Sequence, residues 1–158
     1  MSPPMAHHPP PPPAGLAGYF EALAQAVLQS DVSWRVVYAK WNRIREALSG
    51  FDPVKVAAMT PADVDRLLAD QRMICNRAKV EALVYDAREL LELHRRHGGF
   101  DRYLASLGEY ENAAAELRRR FRFLGETTVH FFLWGAGYPV PSHEQWTSSR
   151  PKTRGSRR

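Results

Sequence analysis

Apolar residues recur at three- and four-residue spacings from Leu16 to about Gly137, and no stretch alternates with a period of two. This periodicity is typical of amphipathic helices, and it predicts an all-α protein with six or seven short helices in a single domain. The predicted helices cover approximately 18–29, 33–48, a segment beginning at Pro61, 77–97, 100–107, 111–120 and a final segment from Thr127 to Trp134.

Helix boundaries are marked by residues with well-defined local preferences. Thr60 is a predicted N-cap, with Pro61 at the first helical position and Asp63 in the first turn. Gly50 and the pair at 98–99 follow the ends of apolar stripes, where glycine commonly terminates a helix. These signals predict short helices joined by tight connections.

The two ends of the chain differ from this helical region. Residues 1–15 are rich in proline, which predicts a disordered or stiff extended arm. Residues 147–158 contain five basic and no acidic residues, so this tail accounts for the net charge of +5. Such a tail attracts polyanions without sequence preference, or it is a disordered solubilising end. The predicted domain therefore spans residues 16–146.

Several classes of protein are not expected from the sequence. No apolar run approaches the roughly 18 residues that a transmembrane helix needs, and the N-terminus lacks the pattern of a secretory signal. The single cysteine, Cys75, excludes an intramolecular disulfide and a thiolate-rich zinc site. We therefore expect a cytoplasmic protein without a membrane association.

The stretch RRRFRFLGETTVHFFLWGAG, residues 118–137, predicts a helix, a short turn and a second helix. Gly125 can take a positive φ angle, and the free N–H groups at the start of the second helix favour an anion such as a phosphate. The alternative is a plain glycine turn between two core helices. Side chains predicted to surround the phosphate are those of Arg119, Arg120, Arg122, Thr127 and Thr128.

This stretch resembles the helix-hairpin-helix of the DNA glycosylase superfamily, and in particular the DNA-3-methyladenine glycosylase I family. The resemblance extends to QSDVSW (29–34), FDPVKVAAMT (51–60) and LLADQRMICNRAKVEALVYDAREL (67–90). It implies a compact helical domain of the helix-hairpin-helix glycosylase type that binds double-stranded DNA as a monomer and needs no cofactor. The implied reaction is monofunctional removal of alkylated purines such as 3-methyladenine by base flipping.

The resemblance also implies roles for individual residues. Trp34 matches a tryptophan of the base pocket, with Ser33 before it and Tyr38 one helical turn after it. Core packing is the alternative for Trp34, and helix capping is the alternative for Ser33. Asn76, Arg77 and Lys79 begin a helix near the expected path of DNA, where they contact phosphates or are merely solvated.

The sequence departs from the family pattern around the pocket. The proline-rich arm replaces an aromatic N-terminal segment, and Ala26 occupies the position of the pocket glutamate. Neither Glu21 nor Asp31 holds the equivalent helical position. For the structural zinc of the family, only His143 falls near a matching place and Cys75 does not, so no metal is expected.

Two roles known from related glycosylases are also missing from the hairpin region. Thr127 stands where a bifunctional glycosylase-lyase carries its lysine, so Schiff-base chemistry is not expected. An aspartate that many relatives use after the second hairpin helix is replaced by Ser142, His143 and Glu144. Catalytic residues therefore cannot be assigned from the sequence.

Three functions are compatible with these features. The first is an active glycosylase with an open pocket, since a positively charged base leaves easily even without the glutamate. The second is a non-catalytic DNA-binding protein that retains the phosphate-binding hairpin. The third is a helical interaction module that does not bind DNA.

Overall fold

The computed structural model describes residues 13–30, 32–73 and 76–141, and all regular secondary structure in these ranges is helical. The all-α prediction is therefore confirmed for this part of the chain. The α-helices are α1 (Leu16–Leu28), α2 (Trp34–Ala39), α3 (Trp41–Ala47), α4 (Pro53–Ala57), α5 (Pro61–Leu68), α6 (Arg77–His97), α7 (Phe100–Ala105), α8 (Tyr110–Arg120) and α9 (Glu126–Gly135).

Helix α6 forms the centre of the packing. It contacts α1, α4, α5 and α7, while α9 contacts α1 and α8. Gly135 of α9 faces Ala22 of α1, and a Cβ atom at Gly135 would lie only 3.4 Å from the Ala22 Cβ. The largest fully buried side chains are Phe20, Phe51, Phe100, Phe132, Leu23, Leu28, Ile44, Leu48, Leu83, Leu90, Leu93 and Leu117. Burial of each such side chain stabilises the fold by about 1.5–3 kcal/mol.

The helix predicted over 33–48 is two helices in the structure. The chain leaves helical geometry at Lys40, with φ −111° and ψ 11°, and its ammonium donates a hydrogen bond to the carbonyl of Gln71 at 2.9 Å. Val37 before the break and Ile44 after it are both buried. Trp34, by contrast, is only partly buried, so the predicted apolar stripe does not enter the core along its whole length.

Side chains satisfy the first backbone N–H groups of four helices. Ser33, Asp52 and Asn76 accept hydrogen bonds at the starts of α2, α4 and α6. At the start of α5, Thr60 accepts from the Asp63 N–H at 3.2 Å, and the Asp63 carboxylate accepts from the Thr60 N–H at 2.9 Å. This reciprocal capping box confirms the helix start predicted at Thr60.

We predict that Thr60→Ala lowers the free energy of unfolding by about 1 kcal/mol, because it leaves an N–H of α5 without its acceptor. Urea denaturation followed by circular dichroism measures this change. Thr60→Ser keeps the hydroxyl and should retain most of the stability. Equal stability of the alanine and wild-type proteins would show that the capping box contributes nothing.

Candidate nucleic-acid interface and base cavity

The predicted hairpin is formed by α8, a turn over residues 121–125, and α9. The turn is held to the core by two buried apolar side chains, Phe121 and Leu124. The Phe121 ring packs edge-on against Phe100, with 6.4 Å between ring centroids. Between the two anchors, Phe123 has a positive φ of 64° and a partly exposed ring. The turn therefore has a fixed inner side and an exposed outer side.

Gly125 precedes α9 and differs from the prediction. Its φ is −90° and its ψ is −167°, an extended conformation that any residue adopts, so the expected positive φ is wrong at this position. A Cβ atom at Gly125 would meet nothing within 4 Å. Glycine is therefore not needed for the backbone conformation here. Its effect is to leave open the space beside the start of α9.

The start of α9 has the features of an anion-binding helix terminus. Gly125 at the N-cap position provides no side-chain acceptor, so it leaves the N–H groups of Thr127 and Thr128 uncapped. The helix dipole adds partial positive charge at the same place. Glu126 in the first turn opposes this effect with its negative charge. Thr127 is exposed and Thr128 is partly buried in the same turn.

Asp86 of α6 lies beneath the hairpin turn and was not predicted. It is fully buried, and its Oδ1 accepts a hydrogen bond from the Arg122 backbone N–H at 2.7 Å. Its Oδ2 has no hydrogen-bond partner among the described residues. Burial raises the pKa of Asp86 to about 8, despite the opposing effect of the Arg122 N–H. The sequence does carry a signal for a buried carboxylate, because Asp86 lies on the apolar stripe between Leu83 and Leu90.

The sequence predicted that the arginines of the hairpin converge on one spot. In the structure they do not. Arg119 and Arg120 form ion pairs with Glu116, and Arg120 also pairs with Glu89 at 3.2 Å. Hydrogen bonds from Arg120 hold the pKa of Glu116 below its usual range. These two positive charges are therefore compensated within the helices.

Arg122 has a different environment from the two arginines before it. Its guanidinium lies over the ring of Tyr85, 4.0 Å from the ring centroid. The side chain is exposed, and Tyr85 is itself partly exposed. A cation held on an aromatic face loses little freedom when it binds a phosphate. Arg122 is therefore the arginine best placed to act with the start of α9.

The start of α6 also differs in part from the prediction. Asn76 is exposed and caps the helix, and Arg77 forms ion pairs with Asp65 and Glu81. Lys79 is only 3% exposed, and its ammonium donates hydrogen bonds to the carbonyls of Leu28, at 3.1 Å, and Ser30. A phosphate cannot reach this buried group, so the prediction that Lys79 contacts DNA is wrong.

A cavity of about 310 Å³ lies between the end of α1 and the start of α9. The wall includes Ala26, which is 2% exposed, so the position matching the pocket glutamate does face a cavity. The Oε1 atom of Gln29 is buried and has no hydrogen-bond partner in the described part of the chain. The described residues that line it are uncharged: Ala26, Gln29, Ser30, Thr127, Thr128 and Phe131. We call this space the Ala26 cavity.

The three residues predicted for the base pocket are not part of the Ala26 cavity. Ser33 caps α2 by accepting from the Arg35 N–H at 3.2 Å. Trp34 packs edge-on against Tyr38, with ring centroids 5.5 Å apart, and Trp34 is absent from the wall. Tyr38 lines a second cavity of about 400 Å³, which shares Phe131 with the first.

The described residues contain no group of three or more His, Cys, Asp or Glu side chains that could hold a metal ion. No helix in the described ranges is long and apolar enough to cross a membrane. Several predicted features lie outside the described residues: residues 1–12 of the proline-rich arm, Asp31, Cys75, Ser142, His143, Glu144 and the basic tail over 147–158.

Comparison with known proteins relates this arrangement to one group of enzymes. The family model described as methyladenine glycosylase matches residues 12–119. The DNA-3-methyladenine glycosylase of Haemophilus influenzae is 30% identical over 139 residues, which cover 75% of each chain. DNA-3-methyladenine glycosylase 1 of Escherichia coli is 27% identical over 139 residues, covering 75% of this chain and 74% of its own.

Solved structures agree with these sequence matches. The structure of 3-methyladenine DNA glycosylase I from Staphylococcus aureus superimposes with a TM-score of 0.73 and 29% identity, covering 94% of this chain and 89% of its own. A mutant 3-methyladenine DNA glycosylase I in complex with 3-methyladenine gives a TM-score of 0.72 and 29% identity, with coverage of 83% and 82%.

The buried Asp86 predicts a pH dependence of stability. Its pKa of about 8 lies above the usual value of 3.8, so the folded state keeps a proton that the unfolded state releases between these two pH values. Stability should therefore fall as the pH rises through this window, by at most about 1.4 kcal/mol per pH unit.

Asp86→Asn does not titrate and still offers an oxygen to the Arg122 N–H. We predict that the stability of this variant relative to wild type increases steadily between pH 5 and pH 8. Urea denaturation at pH 5, 6.5 and 8 measures it. A difference that stays constant across this range would show that Asp86 does not retain its proton.

Proposed function

The chain belongs to the methyladenine glycosylase family, and we propose that it hydrolyses the N-glycosidic bond of alkylated purines such as 3-methyladenine in double-stranded DNA. The observation that carries the proposal is the position of the Ala26 cavity directly beside the start of α9. Thr127 and Thr128 belong both to the first turn of α9 and to the cavity wall. A DNA phosphate bound at this helix start brings a flipped nucleotide to the mouth of the cavity.

The phosphate is bound by backbone and side-chain donors of the hairpin. The first N–H groups of α9 donate hydrogen bonds to phosphate oxygens, in the open space beside Gly125. The guanidinium of Arg122 adds a charge-assisted contact from its position on the Tyr85 ring. Asp86 holds the turn through the Arg122 N–H and thereby fixes the geometry of both donors.

The chemistry follows from the charge of the damaged base. A purine methylated at N3 is a cation, so it leaves as a neutral molecule when the bond between N9 and C1′ breaks and its electrons pass to the base. The oxygen of a water molecule forms the new bond to C1′, and its proton passes to solvent. The protein must chiefly flip the base and hold it, at a cost of a few kcal/mol for unstacking.

We propose a monofunctional enzyme because the position of a lyase lysine is occupied by Thr127, whose hydroxyl cannot form a Schiff base. We further propose that a monomer acts on duplex DNA in the cytoplasm. All the donors proposed for the phosphate belong to one chain, so the proposed contact needs no second subunit, and a single cysteine is compatible with a reducing compartment.

A specific observation favours the second candidate function, a DNA-binding protein without catalysis. The described residues that line the Ala26 cavity are all uncharged, so none of them supplies a carboxylate to stabilise a cationic base. In this alternative the hairpin still binds phosphate, and the cavity is a remnant.

We predict that duplex DNA containing 3-methyladenine releases the free base when incubated with the full-length protein, as measured by liquid chromatography. Ala26→Glu should accelerate release about tenfold, because a carboxylate on the cavity wall forms a charged hydrogen bond with the cationic base. Binding to DNA without release over hours would favour the non-catalytic alternative.

The matched control is Gln25→Glu. Gln25 lies on α1 and lines the second cavity but not the Ala26 cavity, so the new carboxylate would not reach the base. Equal acceleration by both variants would show that the effect comes from general charge and not from the Ala26 cavity.

The hairpin generates a separate prediction about affinity. Gly125→Ala combined with Arg122→Ala should weaken DNA binding and lower the salt slope by about one unit for each phosphate that the protein no longer binds. Fluorescence anisotropy at several salt concentrations measures both quantities. The glycine substitution is compatible with the fold, because its φ is −90° and the new Cβ meets nothing within 4 Å.

Two control variants separate an effect at the hairpin from a general effect of protein charge. Arg66→Ala removes the same charge from α5, far along the chain from the hairpin, and should change the slope less than the double variant does. Glu126→Gln removes a negative charge beside the bound phosphate and should strengthen binding. Unchanged affinity in the double variant would instead support a helical interaction module that does not use the hairpin for DNA.

A further inference from the structure

Gln29 combines two properties that the proposed reaction does not use. It follows the last residue of α1 and lines the Ala26 cavity. Its Oε1 atom is buried and has no partner among the described residues. Buried polar atoms are nearly always hydrogen-bonded in folded proteins, so an unpaired acceptor on a cavity wall indicates that something else supplies the donor.

The position of Gln29 relates it to the missing carboxylate. Ala26 and Gln29 are three residues apart, so their side chains lie on the same side of the helix, one turn from each other. Both belong to the wall of the same cavity. The side chain of Gln29 can therefore reach the space that a glutamate side chain at position 26 would fill.

The backbone on both sides of Gln29 is held by the buried Lys79. The Lys79 ammonium donates hydrogen bonds to the carbonyl of Leu28, at 3.1 Å, and to that of Ser30. Because these two carbonyls flank Gln29, the end of α1 has little freedom to move. A recognition group fixed before the ligand arrives loses less entropy on binding.

We propose that Gln29 recognises the flipped base in the Ala26 cavity, with Oε1 accepting a hydrogen bond from the exocyclic 6-amino group of an adenine-type purine. This inference rests on the proposed function. Phe131 supplies an apolar surface for the purine ring, and the Thr127 and Thr128 hydroxyls lie on the opposite helix. In the orientation of the structure, where Oε1 is the buried atom without a partner among the described residues, the amide favours a 6-amino purine over a 6-oxo purine, whose oxygen would face Oε1 without a proton between them.

The first test measures base release from duplexes that contain either 3-methyladenine or 3-methylguanine. Gln29→Met keeps the length of the side chain and removes the acceptor, so 3-methyladenine release should fall about tenfold, the effect of removing one hydrogen bond. Release of 3-methylguanine should change much less. Gln29→Glu keeps an acceptor oxygen and should retain 3-methyladenine release.

The matched control is Gln25→Met on the same helix. Gln25 lines the second cavity and not the Ala26 cavity, so this variant should release both bases at the wild-type rate. Thermal unfolding of each variant checks that the fold is intact. Equal rates for wild type and Gln29→Met on 3-methyladenine would overturn the inference while leaving the proposed function intact.

The second test uses free 3-methyladenine and does not depend on catalysis. Titration followed by ¹⁵N NMR should shift the Gln29 side-chain amide signals, which are identified by their absence in Gln29→Met. The affinity should fall about tenfold in Gln29→Met and remain unchanged in Gln25→Met.

The combined results separate the two ideas. Binding of free base that depends on Gln29, without release from DNA, would support this inference and contradict the proposed catalysis. Release or binding that is independent of Gln29 would contradict the inference alone. If the wild-type protein showed neither binding of free base nor release from DNA, this result would contradict both ideas.

Discussion

The site depends on how the end of α1 is held between two other helices. On one side, the buried Lys79 of α6 donates hydrogen bonds to two carbonyls at this end. On the other side, α9 contacts α1, and the absence of a side chain at Gly135 permits a close approach to Ala22. The Ala26 cavity lies between the end of α1 and the start of α9. A shift of α1 would change the cavity and its distance from the hairpin together.

The hairpin and the cavity are coupled through the first turn of α9. This turn offers N–H groups to a phosphate, while its threonines form one wall of the cavity. Binding energy gained from the DNA backbone can therefore position the sugar and base that undergo reaction. Such an arrangement suits a substrate whose positive charge already weakens the glycosidic bond. It also explains why an uncharged cavity is compatible with hydrolysis of this class of lesion.

The sequence predicted the features that local interactions determine. Helix periodicity, the capping box at Thr60 and the helix-turn-helix at 118–137 all depend on residues close together in the chain. The resemblance also placed Ala26 at a pocket, and the structure shows it on a cavity wall. The break at Lys40 was missed because the apolar spacing continues across it, and the Lys40 ammonium is bound by a carbonyl 31 residues away.

Features that depend on distant parts of the chain were missed or wrong. Lys79 resembles a surface cation at a helix start, and its burial comes from carbonyls about 50 residues earlier. The hydrogen bond between Asp86 and the hairpin turn spans 36 residues. Gly125 permits both signs of φ, so the actual conformation of the turn is fixed by the packing of Phe121 and Leu124 together with the hydrogen bond from the Arg122 N–H to Asp86.

The central claim is that one bound phosphate and one flipped nucleotide occupy adjoining parts of the same site. A crystal structure of the full-length protein with a duplex that carries a stable analogue of a flipped, alkylated nucleotide tests it most directly. The account predicts phosphate oxygens within hydrogen-bond distance of the first N–H groups of α9, with the flipped base in the Ala26 cavity. A complex in which the hairpin does not touch the DNA backbone, or in which the base occupies another part of the protein, would contradict it.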